Sequence, residues 1–529
     1  MSPLRSLANV LTLLALLPCW NIHCLADEDR GAEAASAKRA KMVRRIDELV
    51  HEQLAKAKLT PAASSTDAEF VRRVYLDFTG AIPRVADVRE FLADTRADKR
   101  PRLIDRLLES PAHATHLANT WRNIMLPGGV NNEQITSVVG VQNWLRSRFA
   151  ENVRYDNLVS ELLVATEGDD LGPALYYTSL DLAPEKLAAS TARIFLGLQM
   201  ECAQCHDHPF DKWKQADFWG YAAFFAQLQR PENGPAATGG PPRLVDLDRG
   251  DVRLPNSETV VAPRFPGGKS PAAGEAGARR VKLAIWMASR DNPYLARAGV
   301  NRIWALLFGR GLVEPVDDLG PHNAASHPEL LAELADYFVH SGFDVRELFR
   351  TLANTQTYQR TSAGNEAAAP PELYARRSVK TLSAEQLYDS LQRVLARPSP
   401  AMFPGANSTN PLLDPRRQAF VAQMQSQSRS PLDYQAGILQ ALTQMNGSEV
   451  SAATDPQQGT LLGALEAPLF ADGGRVETLF LATLSRPPTV AEREKFEEHL
   501  AKAKPGEKQK ALGDLLWALL NCAEFALNH

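Results

Sequence analysis

The sequence predicts a mainly α-helical protein, with two helical domains joined by a Pro/Gly-rich linker that carries a few short strands. Three observations predict it. Apolar residues recur at helical spacing through residues 46–228 and again from about 276 to 529. Gly and Pro stand where those periods stop, as at Gly80 with Pro83 and at Gly309 with Gly311. Between the two helical stretches, residues 229–275 concentrate Pro and Gly (Gly234-Pro235, Gly239-Gly240-Pro241-Pro242, Pro266-Gly267-Gly268), the composition of a linker or of an extended excursion between domains.

Residues 1–26 read as a signal peptide. Arg5 gives a positive start, Leu7 to Leu17 an apolar run, and Cys24-Leu25-Ala26 a small-x-small cleavage site before Asp27-Glu28-Asp29. A lipid anchor on Cys19 is the rival reading, disfavoured by Pro18. A retained signal anchor is a further alternative, although the apolar run is short for a membrane span. Cleavage would leave no membrane span and an exported protein: periplasmic, cell-surface or secreted. Residues 27–45, rich in Ala and Glu, read as a mobile leader.

The first domain is assigned to 46–228. A helical period begins at Ile46, and a second runs over 67–78 with Phe70, Val71, Val74 and Phe78 on one face. Arg72, Arg73 and Asp77 on that helix read as an intramolecular charge network. Helices follow at about 85–93, 98–109 and 112–125. After a loop around Pro127-Gly128-Gly129 they resume at about 140–150 and 155–166. Pro184 suits a helix N-terminus. Its apolar face, through Leu187, Ile194 and Leu198, predicts a helix reaching Cys202 and ending near His206, because Pro209 disfavours helical geometry at His208. A further helix over 215–227 brings Phe218, Trp219, Tyr221, Phe224 and Phe225, and Leu244 to Val261 suit short strands.

The second domain is assigned to 276–529. Helices are expected from Arg279 through Trp286 and at about 293–308, 328–340, 344–356 and 383–395. A Pro-rich loop is expected at 397–417, then helices at about 432–445, 473–485, 489–503 and 508–525. Ser326-His-Pro-Glu329 and Ser383-Ala-Glu-Gln386 both have the form of a capping box. Cys522, among Leu519, Leu520 and Phe525, reads as a buried thiol.

The chemistry concentrates in Glu201-Cys202-Ala-Gln-Cys205-His206-Asp-His208-Pro209. C-x-x-C-H is the spacing of covalent haem attachment: two thiols add across the porphyrin vinyl groups and the adjacent imidazole ligates the iron. His206 is the proximal candidate, with Met200 and His208 as sixth-ligand candidates beside a histidine from elsewhere in the chain. The same donors suit zinc, held by Cys202, Cys205, His206 and His208. A dithiol or disulfide is the third reading. A fourth leaves the protein as a non-enzymatic binding or scaffold protein whose motif staples the first domain. Solvent access separates these, since a redox centre needs an exposed edge and a staple does not.

Two clusters lie in the second domain. Arg297, Asn301 and Arg302 suit an anionic or polyhydroxyl ligand, or structural ties to Asp317-Asp318. Asp317, Asp318, His322 and His327 suit an oxygen-and-imidazole metal site, or turn formation. The 529 residues carry a formal net charge of −4 without a concentrated basic face, so composition gives no case for nucleic acid. Phosphate loops, nucleophile elbows and H-E-x-x-H are absent from the sequence. Catalytic residues and a reaction are not assigned.

Several long motifs together resemble a known family. Arg72-Arg73-Val-Tyr-Leu-Asp77, Gly80-Ala-Ile-Pro83, Phe195-Leu-Gly-Leu-Gln199 and Cys202 to Trp213 are similar to the planctomycete cytochrome-like family of exported proteins, a domain of unknown function. Asp291-Asn-Pro293, Val300-Asn-Arg-Ile-Trp304, Phe308 to Asp318, Ser326 to Leu331 and Asp514 to Asn521 resemble its usual C-terminal partner domain. The resemblance implies an exported two-domain protein, cytochrome-like by name and without an assigned reaction. Relatives often carry an additional N-terminal cytochrome c module. This chain lacks one, which implies an extracytoplasmic redox partner if electron transfer depends on it.

Overall fold

The computed structural model describes residues 19–126, 135–165, 172–229, 244–271, 277–364, 369–395, 411–424, 438–468, 470–504 and 506–529. Helix α1 spans Cys19–Lys56. Residues 27–45, expected as a mobile leader, are part of it, because Ala, Glu, Lys and Arg are strong helix formers. Met42 and Ile46 are buried, and Arg45 pairs with Glu329 at 2.6 Å and Glu333 at 2.8 Å. Residues 1–18, the larger part of the expected signal, lie outside the described residues.

Helix α2 (Asp67–Thr79) opens on Thr66, whose hydroxyl accepts the Glu69 amide, and closes on Gly80 in the left-handed region. Then come α3 (Val85–Ala93), α4 (Lys99–Leu108), α5 (Pro111–Met125), α6 (Ile135–Ala150) and α7 (Tyr155–Val164), in the predicted order. Helix α8 (Gly172–Ser179) is an addition: Leu175, Tyr176 and Tyr177 are buried and tertiary packing holds it. Helix α9 (Pro184–Thr191) opens at its proline as expected, and α10 covers Gln215–Ala222.

Strands β1 (Leu228–Gln229) and β2 (Val245–Asp246) pair antiparallel, as do β3 (Val252–Arg253) and β4 (Val260–Val261). The described part of the Pro/Gly-rich stretch is therefore an excursion folded back on the body. Phe265 stacks on Phe224 at 4.9 Å and on Trp286 at 5.0 Å.

Beyond it lie α11 (Arg279–Met287), α12 (Leu295–Phe308), α13 (Pro328–His340), α14 (Val345–Ala353), α15 (Gln356–Gln359), α16 (Ala384–Leu395) and α17 (Pro415–Met424). The chain continues through α18 (Ile438–Asn446), α19 (Ser448–Thr454), α20 (Thr460–Leu465), α21 (Asp472–Thr483), α22 (Val490–Lys502) and α23 (Lys508–Leu520). Strands β5 (Lys380–Thr381) and β6 (Leu527–Asn528) pair antiparallel, which brings the segment after α23 beside the one that leads into α16.

The Ser383 capping box forms, with Ser383 N donating to Gln386 Oε1 at 3.0 Å and Gln386 N to Ser383 Oγ at 3.2 Å. The Ser326 box does not. Pro328 takes the first helical position, so His327 becomes the cap, Ser326 Oγ donates to Leu312 O, and Glu329 goes to Arg45. Cys522 is half-buried rather than enclosed, and burial raises its thiol pKa.

The apolar interior has two centres. One runs from Met42 to Ala375, through Trp121, Tyr155, Leu196, Trp304 and Phe338, and takes in Leu481, so helices on both sides of the linker share it. The second is built by α16, α17 and α19 to α23, with Leu76 and Ile82 from the first stretch inserted. Arg72, Arg73 and Asp77 are buried between them, each with its own partners rather than in the expected common network: Arg72 donates to Thr483 O, Arg73 pairs with Glu69, and Asp77 takes Arg377 and Lys380. Among the described residues, no helix is long and apolar enough to cross a membrane.

Candidate cofactor site

Local geometry at Gly197 decides how the C-x-x-C-H stretch is presented. The helix expected to run from Pro184 to His206 breaks: after Thr191 it widens into one π-helical turn, Ala192–Leu196, and stops at Gly197 with φ 65°. Two contacts enforce the break. Leu319 N donates to Gly197 O at 2.7 Å, and a Cβ on Gly197 would stand 2.1 Å from Leu319 Cδ1. Gly197→Ala is therefore expected to cost about 2–4 kcal/mol, from the left-handed backbone plus the overlap. Denaturant midpoints check it, and adding Leu319→Ala should restore the overlap part only.

Beyond Gly197 the chain makes a single 3₁₀ turn, Glu201–Gln204, so Cys202 lies outside the apolar face predicted for it. Cys202 and Cys205 are free and exposed, and His206 is exposed beside them. Side chains from α10 brace the turn. Trp219 Nε1 donates to Gln204 O at 3.0 Å, Gln215 Nε2 to Cys205 O at 2.8 Å, and Gln215 N to Asp207 Oδ1 at 2.9 Å. His208 N donates to Trp213 O at 2.8 Å and closes the loop, leaving Phe210 78% exposed at its tip.

Hydrogen bonding distinguishes the ring nitrogens. His206 Nδ1 lies 2.7 Å from Asp207 O, and a carbonyl only accepts, so Nδ1 carries the proton and Nε2 keeps a bare lone pair. His208 is the reverse. Its Nδ1 accepts from Phe210 N at 3.2 Å, which spends that lone pair and leaves the proton on Nε2. Met200 is fully buried in the first core, whereas Cys202 and Cys205 are exposed.

The second stretch meets the motif through the loop after α12. Arg193 pairs with Asp317 at 2.7 Å, and Asp318 Oδ2 accepts a hydrogen bond from His322 Nε2 at 3.0 Å. The His322 ring lies nearly parallel to His208, with centroids 6.5 Å apart. The Glu201 carboxyl is pushed above its ordinary range by partial desolvation and then by the charges of Asp317 and Asp318.

The other expected cluster members lie elsewhere. His327 is buried against Tyr374, its ring pKa pulled down to about 4 by burial, which separates it from Asp317, Asp318 and His322. Asn301 holds Val313 and Val316, Arg302 donates to Ile194 O in the π turn, and Arg297 is exposed. Asn301 and Arg302 thus make structural contacts other than the expected ties to Asp317-Asp318, and Arg193 takes Asp317. Among the described residues, no three or more His, Cys, Asp or Glu side chains are grouped to hold a metal ion. Arg193 and Gln215 carried no signal in the sequence. Gly197 did, as a glycine inside a predicted helix.

No curated protein and no solved structure matches the chain. Residues 45–230 match the model of PSCyt2, a protein of unknown function (DUF1549) and a planctomycete cytochrome-like family. Residues 279–418 match that of PSD1, also a protein of unknown function (DUF1553). The chain thus carries a PSCyt2 region, which includes the Cys202–His206 loop, followed by a PSD1 region, which includes Asp318 and His322.

Proposed function

We propose that Cys202, Cys205 and His206 attach a c-type haem, and that the protein is an exported electron-transfer or haem-linked redox protein. The observation that carries this reading is the coincidence, on one braced and exposed loop, of two free thiols and an imidazole with a bare Nε2. Free exposed thiols are what addition to vinyl groups requires, and an Nδ1–H held by a carbonyl acceptor is the arrangement that orients a ligating histidine. When bound, haem supplies one-electron exchange. Cys202 and Cys205 would hold it covalently and His206 would ligate it through Nε2, while the Gln215 and Trp219 hydrogen bonds keep the loop from rearranging.

Haem is favoured over zinc because structural zinc needs four donors converging on one point, whereas the two thiols of a haem site bind separate carbons. It is favoured over a purely structural staple because the loop faces solvent, where a redox partner has access. The family name and the charged-then-apolar start of the chain support the cytochrome and export parts of the reading.

The test is an absorption spectrum and metal analysis on protein exported from a host competent for cytochrome c maturation. A reduced-minus-oxidised haem signal that survives denaturation is expected, and Cys202→Ser with Cys205→Ser should abolish it. His206→Ala should remove the native spectrum, and a normal one would sink the ligand assignment. Stoichiometric zinc without haem would transfer the motif to a metal site.

A further inference from the structure

We infer that Trp121, Tyr155 and Arg302 together bind one small monovalent anion of the halide class, buried where the PSCyt2 and PSD1 regions meet. The inference is independent of the haem reading above and stands or falls separately from it. Three observations carry it.

The first is a set of donors with nothing to donate to. Trp121 Nε1 on α5, the Tyr155 hydroxyl on α7 and Arg302 Nε on α12 are each enclosed without a hydrogen-bond partner, and all three residues are more than nine-tenths buried. The second is that the three gather at one point. The Tyr155 ring meets Trp121 edge-on at 6.2 Å. Gly299 lies one turn before Arg302 on the same face of α12 and brings that helix against the ring, since a Cβ there would stand 3.1 Å from Tyr155 Cε1. Burial pushes the Tyr155 phenol above its ordinary range while the Arg302 charge and Trp121 pull it back, so both stand beside its oxygen. The third is charge. Arg302 forms no ion pair among the described residues: Asp317 is taken by Arg193 at 2.7 Å, and Asp156, next to Tyr155, by Arg154 at 2.7 Å. Phe149 packs on Trp121 and Phe338 on Tyr155, so the guanidinium sits among rings, where a charge needs an opposite one.

Water meets these demands poorly. The indole and guanidinium N–H groups can only donate, and a water that accepted from both would still have to place its own protons and would leave the charge unbalanced. One anion accepts from all three groups and neutralises the guanidinium, and a single positive charge selects a monovalent ion. The site also bears on the motif. Arg302 Nη2 donates to Ile194 O at 3.1 Å, inside the π turn that leads toward Cys202, so an anion on Arg302 holds the guanidinium under that turn.

The experiment uses the full chain and two probes, bromide and chloride. Crystals of the original protein grown in sodium bromide should give an anomalous peak in hydrogen-bond contact with Trp121 Nε1, Tyr155 Oη and Arg302 Nε, read at the bromide edge, or at long wavelength for chloride retained from purification. In solution, chloride should raise the thermal midpoint over gluconate at equal ionic strength, by about 1–2 °C for each tenfold increase in concentration. Tyr155→Phe removes one donor and keeps the ring, and should need about tenfold more chloride for the same rise. Tyr176→Phe is the control, because it removes another buried hydroxyl without a partner and should leave the chloride response unchanged. A water or nothing at that point in the original protein overturns the inference, whatever the variants do. So does a midpoint indifferent to chloride, or a chloride response that Tyr155→Phe does not weaken or that Tyr176→Phe weakens equally.

Discussion

Replacing Asp77 by Ala is expected to lower the stability of the protein by about 3–5 kcal/mol, the cost of leaving buried charges without their partner. Asp77 sits on α2 with its side chain almost wholly enclosed. It accepts from Lys380 Nζ at 2.5 Å, Arg377 Nη2 at 2.9 Å, Tyr358 OH at 2.8 Å and Asn528 Nδ2 at 2.7 Å. Arg377 and Lys380 are themselves buried, and Arg73 lies close by, so removing the carboxylate strands cations that cannot reach water. The same carboxylate ties β6, at the end of the second core, to α2 in the first. Denaturant unfolding checks the value: a drop in midpoint at unchanged slope is expected, and a loss under about 1 kcal/mol would mean that the cations rehydrate locally.

Acid sensitivity follows from the same group. Burial pushes the Asp77 carboxyl upward, but Lys380 and Arg377, with hydrogen bonds from Lys380 and Tyr358, outweigh it and hold the pKa below the ordinary 3.8. A depressed carboxyl pKa contributes stability that is complete above the unfolded value and lost as pH falls through the folded one. Stability should therefore decline below pH of about 4, and Asp77→Asn should flatten that part of the profile.

The second large effect is expected at Arg280, at the start of α11. Its guanidinium is fully buried and grips Asp246 with two bonds of 2.8 and 2.7 Å, while Nη1 donates to Leu163 O at 2.8 Å and Ala165 O at 3.0 Å. The ring of Tyr177 lies 5.2 Å below it. One side chain thus joins β2 of the linker excursion, the end of α7 and the start of the second stretch. Arg280→Ala should cost about 3–5 kcal/mol, since it leaves Asp246 and two carbonyls without a donor. Arg280→Lys should recover less than half, because an ammonium cannot make the planar two-bond contact. Limited proteolysis gives an independent check: cleavage within 244–271 should rise in both variants.

Much of this protein was legible from local pattern. The periods around Phe70, Leu103, Leu283 and Leu479 placed α2, α4, α11 and α21, and Gly80 and Gly309 ended their helices where left-handed residues are needed. Such signals depend on contacts three or four residues apart, which a sequence displays directly. The C-x-x-C-H thiols and His206 were legible for a similar reason, as a short run whose chemistry depends on spacing.

What the tertiary structure alone decided are the contacts between residues far apart in the chain. The apolar face of Leu187, Ile194 and Leu198 predicted an unbroken helix to His206, yet Leu319, more than a hundred residues away, binds Gly197 and breaks it. Ser326 and Glu329 have the form of a capping box, but Arg45 takes the glutamate and Pro328 moves the cap. The linker composition suggested separation, whereas Phe265, Asp246 and the shared core bring the two stretches together. Sequence by itself therefore determined the helices, the order of the two family regions and the haem-type spacing. Only the fold determined that the motif is exposed, that Met200 is not, and that Asp318 and His322 stand against it, because burial and approach depend on which distant faces pack together.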